Sequence, residues 1–152
     1  MNKVNGILFF TDFHAHLFME FAKHDPDFYT DRFKTQITLL DTMLSRAAKE
    51  HLAVVFGGDL FHKRGAVDVR VFNAVWDVFA KYAPSIPAIH LVRGNHDSYD
   101  NSMGSVSSLD TFSRLPNTYV WSKPDTFRQA VGDTMWDLSF MPYGEDIAQM
   151  KD

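Results

Sequence analysis

Apolar positions along the chain follow two rhythms, and each predicts an element. Val4 to Phe10 is apolar apart from Asn5, with Gly6 inside it, and predicts a buried strand. Asp25-Pro26-Asp27 breaks the chain. From Tyr29 to Lys49 the spacing becomes helical, with Phe33, Ile37, Leu40, Leu44 and Ala47 or Ala48 on one face. Thr30 stands at the N-cap position, although Phe33 rather than Glu occupies the third place of the capping box. Leu52 to Phe56 predicts a second buried strand, ended by Gly57-Gly58. Val67 to Tyr82 predicts a second helix with a stripe of Val71, Val75, Val78, Phe79 and Tyr82, closed by Pro84 and Pro87. Ile86 to Val92 predicts a third buried strand. This alternation implies a parallel sheet with right-handed crossovers.

After Asp97 the texture changes. Tyr99 to Ser108 reads as a polar loop, and a short helix is expected within 106–115. Thr118 to Trp121 predicts a strand. Phe127 to Val131 and Thr134 to Met141, on either side of Gly132-Asp133, predict a hairpin. Glu145 to Asp152 reads as the opening turns of a helix. The fold class is therefore α/β, mainly a parallel sheet with flanking helices plus a C-terminal hairpin. With 152 residues, 45% hydrophobic and 22% charged, it fits one domain with a core of its own.

Composition removes several kinds of chemistry. The chain has no cysteine, which excludes disulfides, thiolate zinc sites and cysteine nucleophiles. Its net charge of −4 offers no broad basic footprint for nucleic acid. The apolar runs, Ile7 to Phe10 and Leu52 to Phe56 among them, are too short to span a bilayer, and the N-terminus lacks a signal-peptide pattern. A cytoplasmic location without membrane association is the expectation.

Three polar clusters follow the three predicted strands: Thr11 to His16, Gly57 to Arg64, and Arg93 to Asp97. In a parallel sheet the carboxyl ends of the strands share one edge, where ligands bind. Asp12, His14, Asp59, His62, Asn95, His96 and Asp97 should therefore converge, although they are far apart in sequence. Carboxylate, imidazole and amide oxygen together suit manganese, iron or zinc. A central carboxylate can bridge two such ions, which would activate water and clamp the oxygens of a phosphoryl displacement. Asp12 and His14, at alternate positions, are expected on one side of an extended segment. Gly57, Gly58 and Gly94 permit tight turns beside a ligand. Lys63, Arg64 and Arg93 adjoin the clusters and are candidate phosphate contacts, with a solvated basic turn as the plain alternative.

The motifs Asp12-x-His14, Gly58-Asp59 and Gly94-Asn95-His96-Asp97 resemble those of the calcineurin-like metallophosphoesterase superfamily. Within it, Gly58-Asp59-Leu60-Phe61-His62-Lys63-Arg64 is similar to the SbcD-type DNA-repair and phage recombination nucleases. Leu115 to Pro124 and Leu138 to Tyr143 fit the same branch. The resemblance implies an αββα sandwich. It makes Asp12 and His14 ligands of a first metal, Asp59 the bridge and Asn95 a ligand of the second, with manganese as the cofactor. It implies that His96 acts near the leaving oxygen as general acid or as a hydrogen-bond donor to the phosphate, that Asp97 orients His96, and that His62 contacts phosphate or lies just behind a metal ligand. DNA and an SbcC-like ATPase would be the partners.

The family's later histidines have no counterpart, because His96 is the last of the seven histidines. The chain accordingly reads as the N-terminal half of a nuclease domain, truncated or completed by another chain, with a homodimer or a complementing C-terminal chain as expected partners. Three functions stand open: a metal-dependent DNA phosphodiesterase, a phosphoesterase for a nucleotide or other small phosphate, and a catalytically incomplete interaction module. His16 is expected exposed beside the site, His51 at a helix C-terminus and His90 in the core as a satisfied histidine. Trp76, Phe79, Trp121 and Trp136 are expected to pack, and Tyr99 and Tyr143 to lie near the site.

Overall fold

The computed structural model describes residues 3–102 and 104–144. The elements, in chain order, are strands β1 (Gly6–Phe10), β2 (His24–Asp25) and β3 (Tyr29–Thr30), helix α1 (Asp31–Glu50), β4 (Leu52–Phe56), helix α2 (Val69–Tyr82), β5 (Ile89–Val92), β6 (Thr118–Trp121), β7 (Asp125–Val131) and β8 (Thr134–Phe140). Short 3-10 turns occupy Ala83–Ser85 and Asp110–Arg114. The second of these stands where a short helix is expected. The helix expected from Glu145 lies outside the described residues.

Strands β1, β4, β5 and β6 form one sheet in that order, and every pairing in it is parallel. Both helices lie on one face, over Val54, Phe56, Ile89 and Leu91 of the central strands. The predicted stripes are the buried ones: Phe33, Ile37, Leu40, Leu44 and Ala47 on α1, and Val71, Val75, Val78 and Phe79 on α2. Thr30 caps α1, its hydroxyl accepting from the Phe33 N–H at 3.1 Å and donating to the Leu17 carbonyl at 2.6 Å. His51 ends α1 in the left-handed conformation, its N–H bonded to the Ala47 carbonyl.

The other face is covered unevenly. Hairpin β7–β8 packs over β5 and β6, where Phe127 and Phe140 meet His90, Tyr119 and Trp121. The tip of β7 reaches the start of the chain, where the Val4 N–H donates to Ala130 at 3.0 Å. The outward side chains of β1 lie beyond this cover. Ile7 is 39% exposed and Phe9 63% exposed, so β1 is an edge strand with one open face rather than a strand buried on both. Trp136 is likewise half exposed, against its expected packing. Trp121 does pack, stacked on Phe140 at 4.7 Å, and its indole N–H donates to His90 Nδ1 at 3.2 Å. His90 is buried as expected but only half satisfied, since its Nε2 has no hydrogen-bond partner among the described residues.

Candidate metal centre

The three clusters meet at the carboxyl edge of the sheet. The β1–β4 pairing continues beyond the strands as a ladder: Asp12 N–H bonds to Gly58, His14 N–H to Asp59 and Ala15 N–H to Leu60, at 2.9, 2.9 and 2.8 Å. Asp12, His14 and Asp59 all adopt left-handed backbone, with φ of 53°, 47° and 62°. Strained backbone of this kind persists where surrounding contacts over-determine it, and functional sites are where it concentrates. It also corrects the extended alternation expected for Asp12 and His14, whose side chains converge through left-handed turns.

The result is a compact ligand group. Single donor atoms of Asp12, His14 and Asp59 all lie within 4.8 Å of one another. His14 Nε2 is 3.8 Å from an Asp12 oxygen and 3.9 Å from an Asp59 oxygen. Thr11 holds the Asp12 carboxylate from the side, its hydroxyl donating at 2.8 Å. An exposed carboxylate (Asp12), a half-buried one (Asp59) and an imidazole close to one another form a donor set for a divalent cation of hard to borderline character. The residues present therefore fit a metal ion held by Asp12, His14 and Asp59. Asn95 lines the same cleft of about 300 Å³, with Asp12, Gly58, Asp59, Gly94, Met141 and Tyr143.

Glycine is required where the second and third clusters touch. A Cβ on Gly94 would stand 2.1 Å from Asp59 Oδ1 and 2.4 Å from its N, an impossible approach. Gly58, at φ +115°, would meet the Gly94 Cα at 2.9 Å.

Asp97 has a different task from the one expected. Its carboxylate accepts from the backbone N–H groups of Asp59 (2.8 Å), Leu60 (2.9 Å), Phe61 (3.4 Å) and Gly94 (3.0 Å). It therefore shapes the Asp59 loop and does not orient the His96 ring. Burial pushes its carboxyl above the usual range, opposed by those four donors. His96 is held instead by the His62 carbonyl, 2.5 Å from Nδ1, while its own N–H donates to Asp59 Oδ1 at 2.9 Å. A carbonyl oxygen only accepts, so Nδ1 carries the proton and Nε2 is left for chemistry.

Arg93 is a second correction. Its side chain is buried, and its guanidinium donates to the carbonyls of Ser105 (3.0 Å), Ser102 (3.3 Å) and Tyr143 (2.7 Å). It ties Ser102, Ser105 and Tyr143 together, its guanidinium committed to these carbonyls although the residue borders the cleft. Arg64 reaches the Ser98 carbonyl at 3.2 Å and the Asn101 side chain, whereas Lys63 is exposed. Tyr143 lines the cleft, and Tyr99 is exposed on the neighbouring loop.

Four imidazoles crowd the site. The His14 ring lies 4.8 Å from that of His96 and 5.5 Å from that of His62, and His16 lies 5.1 Å from His62. Burial, the neighbouring His14 and His96, and Lys63 all hold His62 below its ordinary pKa. Burial and His62 do the same for His16, against Asp68. Two residues escaped the sequence reading. Gln36 on α1 donates to the Phe13 and His14 carbonyls and accepts from the His16 N–H at 3.2 Å, which clamps the first cluster. Its only signal was an amide beside an apolar stripe. Thr11 carried no signal beyond its place next to Asp12.

A profile of calcineurin-like phosphoesterases matches residues 6–148. The chain belongs to the calcineurin-like phosphoesterase family. The match takes in all three clusters and the whole parallel sheet. Calcineurin-like phosphoesterases are metal-dependent phosphoester hydrolases, which agrees with the Asp12–His14–Asp59 group. No curated protein matches the chain. Among the described residues, no helix is long and apolar enough to cross a membrane.

Proposed function

We infer that this calcineurin-like phosphoesterase is a metal-dependent DNA phosphodiesterase of the SbcD type, using manganese and acting in recombination or end processing with an SbcC-like ATPase. The observation that carries the reading is the position of His62. It follows Asp59 by three residues, its ring faces His14 and His96, and its carbonyl fixes the His96 tautomer. The nuclease branch carries a histidine at this place, by resemblance.

Asp12, His14 and Asp59 would hold one ion, and Asp59 with Asn95 a second. Bound there, the metal supplies Lewis acidity and a water activated at neutral pH. Carrying a second proton on Nε2, His96 would give it to the leaving oxygen while Nδ1–H stays bonded to the His62 carbonyl. Asp97 keeps the Asp59 loop in register. Lys63 stands exposed next to His62, where it adds positive potential for a phosphate.

The test is manganese-dependent cleavage of linear duplex DNA, compared with hydrolysis of a chromogenic monoester. Cleavage of DNA that disappears in His96→Ala supports the nuclease reading. Monoester turnover with intact DNA would replace it with a small-phosphate esterase. A second reading has its own support in the three-membered ligand group and the open face of β1. In it, another polypeptide supplies further ligands, and this chain alone holds one metal tightly. Two tight manganese equivalents per chain in calorimetry would contradict that reading.

A further inference from the structure

The loop after the first cluster shows apolar rings to water beside the metal centre. Phe21 is fully exposed and Met19 is 71% exposed. Phe18 and Phe21 both adopt left-handed backbone, with φ of 42° and 55°, a conformation that bulky residues rarely take. The loop is nonetheless held. Thr30 Oγ1 donates to the Leu17 carbonyl, the Lys23 N–H to Asp31 Oδ1 at 2.9 Å, and Arg32 to the Glu20 carbonyl at 3.1 Å. The rings lead into the site: Phe18 lies 5.0 Å from His16 and 5.2 Å from His62, whose ring is 5.5 Å from His14. The Arg32 guanidinium lies 5.5 Å from the Phe18 ring centre, and Lys63 adjoins His62.

The Phe21 ring packs against nothing among the described residues and is open to a ligand. We propose that residues 18–21 are a base-stacking element. Phe21, three residues beyond Phe18 on this loop, takes an unpaired nucleobase of the strand whose phosphate lies at the Asp12–His14–Asp59 group. An aromatic face accepts any base, and flanking cations favour the attached phosphates. The proposal rests on the DNA reading above and adds to it a preference for unpaired bases next to the cleaved bond.

The experiment compares oligothymidine with an abasic deoxyribose-phosphate strand of equal length. It uses the His96→Ala background with manganese, so that strands are held and not cut. The parent should bind oligothymidine about tenfold more tightly than the abasic strand, near the lower end of what one base–aromatic stack contributes. Phe21→Ala should erase that preference and Phe21→Trp should keep it. Equal preference in Phe21→Ala, with both strands still bound, overturns the stacking role and leaves the DNA reading standing. Binding of neither strand by the parent overturns both. Unchanged strand binding in Phe21→Ala, together with loss of a dimer in sedimentation, overturns the proposal in favour of a subunit contact.

Discussion

At the scale of single residues, the acids divide by what surrounds them. Asp12 is exposed and Asp59 half-buried, and both lie beside the same imidazole. Asp97 is buried and surrounded by amides. Asp59→Ala should abolish manganese binding in titration calorimetry without unfolding the chain, because the Asp12–His14–Asp59 group loses one of its two carboxylates; unchanged affinity would sink the proposed bridging assignment. Asp97→Ala should instead destabilise the fold. It strands several buried N–H donors, at about 3 kcal/mol in urea unfolding. His90 adds a pH dependence. Burial lowers its pKa from 6.5 to about 4. The unfolded chain therefore takes up a proton, below pH 6.5, that the folded chain refuses until about pH 4. Stability from this group is intact above the upper value and is lost as pH falls through that window, by about 3 kcal/mol in all. Urea midpoints at pH 7 and pH 5 should differ less in His90→Phe than in the parent.

Elements and loops differ in how plainly the sequence displays them. Periodicity located α1, α2, β4 and β6 because each buries a regular face, and caps such as Thr30 set the boundaries within a residue or two. The run of apolar residues in β1 was misleading about burial. A parallel strand at a sheet's centre and one at its edge read alike, and only the path of β7–β8 leaves Phe9 open. Phe9→Thr should accordingly change the melting temperature little, whereas Phe56→Ala, fully buried against Phe10, should cost about 3–5 kcal/mol. Gly94→Ala tests the contact between loops. Its Cβ collides with Asp59, so calorimetry should show lost metal binding while circular dichroism keeps the helices. Retained affinity would mean that the two loops are free to separate.

Across the whole molecule, the ligand group joins loops that follow β1 and β4, and the β5 loop braces them through Asp97, His96 and Gly94. A ligand that binds only the folded arrangement stabilises it by mass action. Manganese at about a hundredfold excess over its Kd should add about 2.7 kcal/mol. For a domain of this size that raises Tm by about 5–10 °C. The shift should vanish in Asp59→Ala. An equal shift in the variant would place the binding elsewhere on the protein.

By itself the sequence determined the α/β class, the parallel order and the convergence of Asp12, His14, Asp59, Asn95 and His96 on one edge. Strand direction and the rule that loops follow strands are local consequences of hydrophobic pattern, so they survive in one dimension. Tertiary structure decided what each polar residue does once there. Asp97 faces amides and not His96, Arg93 turns inward to loop carbonyls, and Gln36 reaches over from α1. These choices follow from which donors and acceptors are left unpaired when three loops and a helix close on one another. That count exists only after the chain has folded.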